Sequence, residues 1–167
     1  MVAVLAFGVA AATTDNTTDS FTVGNNEIAV LDVAGAAENL LLVAPTTGGA
    51  DPDPVSDNGS YLQYTVVVIS EATKKITAEI TSGDLPDGTL LKASVDAVES
   101  QGTDSSAVSV STESAADVLT AISSCATGVS GTDGAQVTWT LSADTVADML
   151  STAAASITIT YILTDTL

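Results

Sequence analysis

The chain has 167 residues, 46% hydrophobic, 4% aromatic and 14% charged, with a formal net charge of −18. Its only cations are three lysines, with no Arg and no His, so neither a guanidinium clamp on phosphate nor imidazole acid–base chemistry is on offer. Nucleic acid is excluded as a partner on the same ground, since neutralising phosphates needs a basic footprint. The single Cys125 forms neither an intrachain disulfide nor a thiolate metal cluster. Composition therefore points to structure, assembly or binding rather than to an enzyme.

Thr, Ser, Ala, Val and Asp make up most of the rest. β-Branched residues suit a pleated, half-buried surface, and the hydrophobic fraction is too high for a disordered acidic tail. The length suits one domain with its own core, which needs no disulfides. An acidic, Thr-rich, β-forming chain of this kind reads as extracellular or cell-surface.

Residues 2–12 (VAVLAFGVAAA) form an unbroken apolar run. A membrane-spanning helix needs about 17–25 such residues, so no membrane span is expected. A secretory signal would begin with positive charge, which is missing here, although AAA before Thr13 is compatible with a cleavage site. The run reads best as a strand, with Leu5, Phe7 and Val9 on one face and Ala6, Gly8 and Ala10 on the other; a processing remnant and a helix are the alternatives. A polar linker, residues 13–19, follows, and residues 20–167 make the main domain.

Within that domain, strands are expected at residues 20–24, 27–34 and 39–44, before a loop rich in Gly, Pro and Asp at residues 45–59. Residues 61–70 (YLQYTVVVIS) put Leu62, Tyr64, Val66 and Val68 on one face. Residues 75–81 alternate Ile76, Ala78 and Ile80 with polar residues, and the two segments read as an antiparallel hairpin. Strands are also expected at residues 90–97, 106–111, 136–141 and 156–163. Ala115, Val118, Leu119 and Ile122 have helical spacing, so residues 114–123 read as a helix, and residues 143–150 as a second short one. The sum is an all-β chain: a single β-sandwich of Greek-key or jelly-roll type, with one or two short helical crossovers and an extended N-terminal strand.

Candidate sites are few. Asp51, Asp53 and Asp57, with Asn58, crowd the loop DPDPVSDN; oxygen ligands at that density suit calcium, although the spacing is not that of an EF-hand and a solvated acidic loop is the simpler reading. No other cofactor is expected. Asn16-Thr17-Thr18 and Asn58-Gly59-Ser60 match the N-glycosylation acceptor pattern, both in expected exposed loops. Carboxylate pairs such as Asp51 and Asp53 lack the aromatic platforms of a glycosidase, and no catalytic residue is identified. Trp139 reads as a core aromatic. Lys75 and Lys92 read as lysines blunting a sheet edge, with a lysine–asparagine isopeptide crosslink as the functional alternative.

Taken together, the apolar run 2–12, the short polar linker, the sandwich and the closing strand SITITYIL resemble secreted all-β pilus and fimbria-type subunits. EIAVLDV, LPDGTLL and ITITYILTD are similar to segments of small secreted bacterial β-proteins. TWTLSAD resembles one of the two Trp-x-Leu motifs of Gram-positive wall-binding domains; the second is missing here. Chaperone–usher subunits often carry a disulfide, which this chain cannot form, so archaeal bundling pili and biofilm-matrix fibres are the nearer resemblance. It implies a subunit whose partner is itself, in a head-to-tail homopolymer assembled by donor-strand exchange. The donor strand would be carried by Val2, Val4, Leu5, Phe7, Val9 and Ala11. The alternative is a monomeric cell-surface adhesion module, or a β-sandwich that binds carbohydrate or calcium.

Overall fold

A computed structural model describes residues 21–35, 39–70, 72–151 and 156–166. The expected strand at 2–12, the linker and Asn16 lie outside the described residues. In chain order the strands are β1 (Ile28–Gly35), β2 (Val55–Val67), β3 (Lys74–Ser82), β4 (Thr89–Asp96), β5 (Ser105–Ser109), β6 (Ala116–Ile122), β7 (Cys125–Ala126), β8 (Ala135–Ala143) and β9 (Thr158–Asp165). One sheet has the order β1-β2-β8-β4-β5, with β7 also on β2; the other has the order β6-β3-β9. Every pairing is antiparallel. The two sheets pack face to face as an all-β sandwich.

Period-two alternation builds the core. Leu62, Tyr64 and Val66 of β2, Ile76, Ala78 and Ile80 of β3, and Leu91, Ala93 and Val95 of β4 are all buried, as neighbouring residues of a strand face opposite sides. From β8 come Ala135, Val137 and Trp139. Apart from Tyr64 and Trp139 these are aliphatic side chains of small to middle size.

Several expectations need correcting. Residues 114–123 form strand β6, not a helix. Its pairing with β3 slips between Ile76 and Thr77, and Ala121 has a left-handed φ of 54°. Such an irregularity turns the adjacent Val118 and Leu119 both inward, which imitates helical spacing in the sequence. Residues 143–150 contain only a 3₁₀ turn, Val146–Asp148, so the helical crossovers are not there. Residues 21–26 form no strand, and of residues 39–44 only Val43 makes a bridge, to Asp53. β2 starts inside the expected loop, because Val55–Asp57 find partners in Leu141–Trp139 of β8 before a bulge between Asp57 and Ser60. β2 and β3 are not a hairpin: they lie in different sheets, and the connection through Ser70, at φ 58°, crosses between layers.

The two long sides of the sandwich differ. On one side the Thr103–Thr120 bridge ties the segment just before β5 to β6, and the Ile80 N–H donates to the Ser111 carbonyl at 3.0 Å. On the other, β1 is bonded to β2 alone and β9 to β3 alone among the described residues. No helix among them is long and apolar enough to cross a membrane.

Candidate functional site

A groove runs along the open side. Ala29, Leu31 and Val33 of β1 face Ile159, Tyr161 and Leu163 of β9 across it. Among the described residues the two strands present unbonded backbone edges to it, which is how a sheet edge comes to accept another strand. Val33 remains 44% exposed, so this apolar side of the domain is left incompletely covered.

Near Gly35 the groove deepens into a cavity of about 590 Å³ lined by Leu40, Leu85, Leu91, Trp139, Ile157 and Tyr161, among others. The rings of Trp139 and Tyr161 stand 6.5 Å apart, tilted by 54°, within the range of favourable aromatic pairing. Burial pushes the Tyr161 hydroxyl up to about 12. Gly35 closes the rim at φ 80°. A Cβ there would run into the Gly59 carbonyl oxygen, so only glycine lets the end of β1 lie this close to the bulge in β2.

At the opposite end an ion triplet spans the two sheets. Lys74 Nζ donates to Glu27 Oε1 and to Asp165 Oδ1, each at 2.6 Å. Glu27 leads into β1 and Asp165 ends β9, so the lysine links the two walls of the groove. Hydrogen bonds to Asp165 and then Glu27 hold the ammonium above the ordinary lysine range. Lys74 is buried while both carboxylates remain largely in solvent. Sequence reasoning passed over this residue, yet it left a signal: adjacent lysines in a strand point to opposite faces, so one of Lys74 and Lys75 had to face inward.

The other candidate residues are dispersed. Asp53 bridges backbone to Val43, and Asp57 Oδ1 accepts from the Gly59 N–H at 3.0 Å. No three His, Cys, Asp or Glu side chains among the described residues, Asp51, Asp53 and Asp57 included, are grouped as metal ligands. Asn58 is exposed, but on the β2 bulge rather than in a loop, and Ser60 of the same acceptor pattern is buried. Lys75 pairs with Asp117 of β6 at 2.9 Å. It sits on the central strand of its sheet and Lys92 sits on β4, between β8 and β5, so neither blunts an edge. Trp139 is a core aromatic, 3% exposed. Cys125 lies on β7, where burial pushes its thiol up, and not after a helix. A comparison with family models, curated proteins and solved structures finds no match.

Proposed function

We propose that this chain is the structural subunit of an extracellular filament and polymerises by inserting residues 2–12 of one copy into the groove of the next. The observation that carries the reading is the open β1/β9 side: two edges without a partner among the described residues flank an apolar trough, while the other side is closed. A segment apolar on both faces is what such a trough requires, since it would be covered by both sheets at once. Eleven residues at about 3.3 Å each span roughly 36 Å, enough to line the eight residues of β9 and reach the cavity beyond. Burying Leu5, Phe7 and Val9 contributes on the order of 5–9 kcal/mol, and main-chain bonds to the sheet edge add to it. Donation from one copy to the next is a heterologous contact, which propagates as an open fibre.

Deleting residues 2–12 is expected to yield soluble monomers of lowered stability, and adding a synthetic peptide of that sequence is expected to restore the stability. Phe7→Asp in the full chain should abolish filaments while the sandwich stays folded, because an unpaired charge in an apolar groove costs several kcal/mol. Electron microscopy and sedimentation read both results. A truncated chain that assembles and resists denaturant as well as the full chain would overturn the proposal.

Filaments of this subunit should bundle more strongly as salt rises. Each copy carries −18, and the Debye length shrinks from about 10 Å at 0.1 M to about 3 Å at 1 M. Light scattering across 10 mM to 1 M salt checks this; a flat response counts against it.

A further inference from the structure

We infer that copies of this chain stack in one direction, the Lys74 end of one sandwich on the Gly35 end of its neighbour, so that the arriving segment 2–12 runs antiparallel to β9. This rests on the filament reading above and adds to it the two contacting surfaces and the direction of the donated strand.

The first observation is where the exposed apolar side chains lie. Among the described residues, the large ones fall into three groups and one outlier. Ile28, Val30, Val33 and Ile162 belong to the two strands that border the groove, Val33 facing it and the other three on the outer faces of their sheets. Phe21 and Val23 lead into the start of β1 and Ile69 follows the end of β2; these three belong to the Lys74 end. Val129 is the outlier, in the turn before β8 beside the middle of β2. Leu41 and Val43 follow β1, while Val146 and Leu150 follow β8, which places them at the Gly35 end. The closed β5/β6 side carries none of them. A lone exposed apolar residue needs no explanation, but apolar groups gathered at the two opposite ends of the sandwich mark surfaces that meet other protein.

The second observation is directional. β1 runs from the Lys74 end to Gly35, and β9 runs back, ending at Asp165 beside Lys74. The chain enters its own domain at the Lys74 end, through residues 21–27. With that end seated on the Gly35 end of a neighbour, the preceding residues meet the neighbour where its cavity lies. Followed backwards from residue 12 to residue 2, the segment then travels from the neighbour's Gly35 end toward its Lys74 end. Its N-to-C direction is therefore opposite to that of β9, giving the antiparallel ladder, which is slightly the more stable kind. A segment folded back into its own sandwich would travel the other way and lie parallel to β9. Strand direction thus separates exchange between copies from self-complementation.

The experiment uses the full chain in a Cys125→Ser background, with pairs of introduced cysteines read on non-reducing denaturing gels. Thr158 and Thr164 are exposed positions at the two ends of β9. Ala3→Cys with Thr164→Cys is expected to give a ladder of covalent oligomers, and Ala3→Cys with Thr158→Cys is not. Each pair is repeated with Val4→Cys, since adjacent residues face opposite sides of a strand. Ile69→Cys with Leu150→Cys, one at each end of the sandwich, is expected to give a ladder as well. Circular dichroism confirms that each variant keeps its strands. Filaments that form but crosslink as ladders through position 158 instead of 164, or through neither, overturn the inferred direction and leave the filament reading standing. A bond between positions 3 or 4 and 158 within one chain, with no filaments, sinks both.

Discussion

Truncating Trp139 to alanine is expected to cost about 3–5 kcal/mol of folding stability, against a total of about 5–15 kcal/mol for a domain of this kind. Trp139 sits at the middle of β8, paired with Asp57 of β2 on one side and Ala93 of β4 on the other. Its ring is buried and meets Tyr161 of the opposite sheet, so the loss would fall on the contact that joins the two layers. The site already borders a cavity, which leaves few neighbours able to collapse into the space. Trp139→Phe keeps an aromatic partner for Tyr161 and should lose much less. As Trp139 is the sole tryptophan, circular dichroism rather than intrinsic fluorescence should follow urea unfolding. A shift below about 1 kcal/mol for the alanine variant, with unchanged urea dependence, would show that the ring does not bind the sheets together.

The inward residues of the core were legible because alternation is a local property. Leu62, Tyr64 and Val66, then Ile76, Ala78 and Ile80, then Leu91, Ala93 and Val95 could be read from the sequence, and all of them are buried. What failed was everything set by a partner strand. The slip between Ile76 and Thr77 that makes β6 look helical belongs to the β3–β6 pairing, and no window around Val118 and Leu119 contains it. Neighbours in sequence were taken as neighbours in a sheet, but β2 and β3 separate into different layers, and β2 pairs instead with β1, β7 and β8. Adjacent strands joined by a few residues form a hairpin only when both can bury their apolar faces in one sheet. Here the two faces cover each other from opposite sides.

The candidate site divides in the same way. The apolar run at residues 2–12 announces itself, because nothing else in the sequence is apolar on both faces over such a length. The groove does not, since its walls come from residues about 130 positions apart, such as Leu31 with Leu163. Its floor adds Trp139 and Leu91 from two further strands. Only tertiary pairing reveals that β1 and β9 each keep an open edge among the described residues. The ion triplet at its far end likewise joins Glu27, Lys74 and Asp165, three residues from three segments. The acidic loop shows the converse. Asp51, Asp53 and Asp57 are close in sequence, but Val55 starts β2 between them, so that only Asp57 belongs to a strand.

Alkali is expected to unfold this domain well before acid-labile contacts come into question, and the sign follows from which state holds its protons. Burial raises the Tyr161 hydroxyl from its ordinary value of 10.0 to about 12. Tyr64 is raised as well, by burial first and by Cys125 second, and its hydroxyl donates to the Gln101 carbonyl at 2.8 Å, a bond that needs the proton. Lys74 is raised by its hydrogen bonds to Asp165 and Glu27. Between the ordinary values and the raised ones, the unfolded chain gives up these protons while the folded chain keeps them. Unfolding then releases protons, so each step up in pH favours the unfolded state. For Lys74 the contribution is complete below the ordinary lysine range and disappears as pH rises through the folded value. For Tyr161 the loss begins near pH 10 and reaches on the order of 2–3 kcal/mol at the folded value. Unfolding free energy in urea should therefore be flat from pH 7 to about pH 8.5, decline gently as the unfolded Cys125 thiol titrates, and fall steeply above about pH 10. Tyr161→Phe removes one titrating group, and Lys74→Met removes another, so each should flatten the alkaline slope even while lowering stability at neutral pH. If both variants keep the full slope, the groups responsible for alkaline unfolding lie elsewhere.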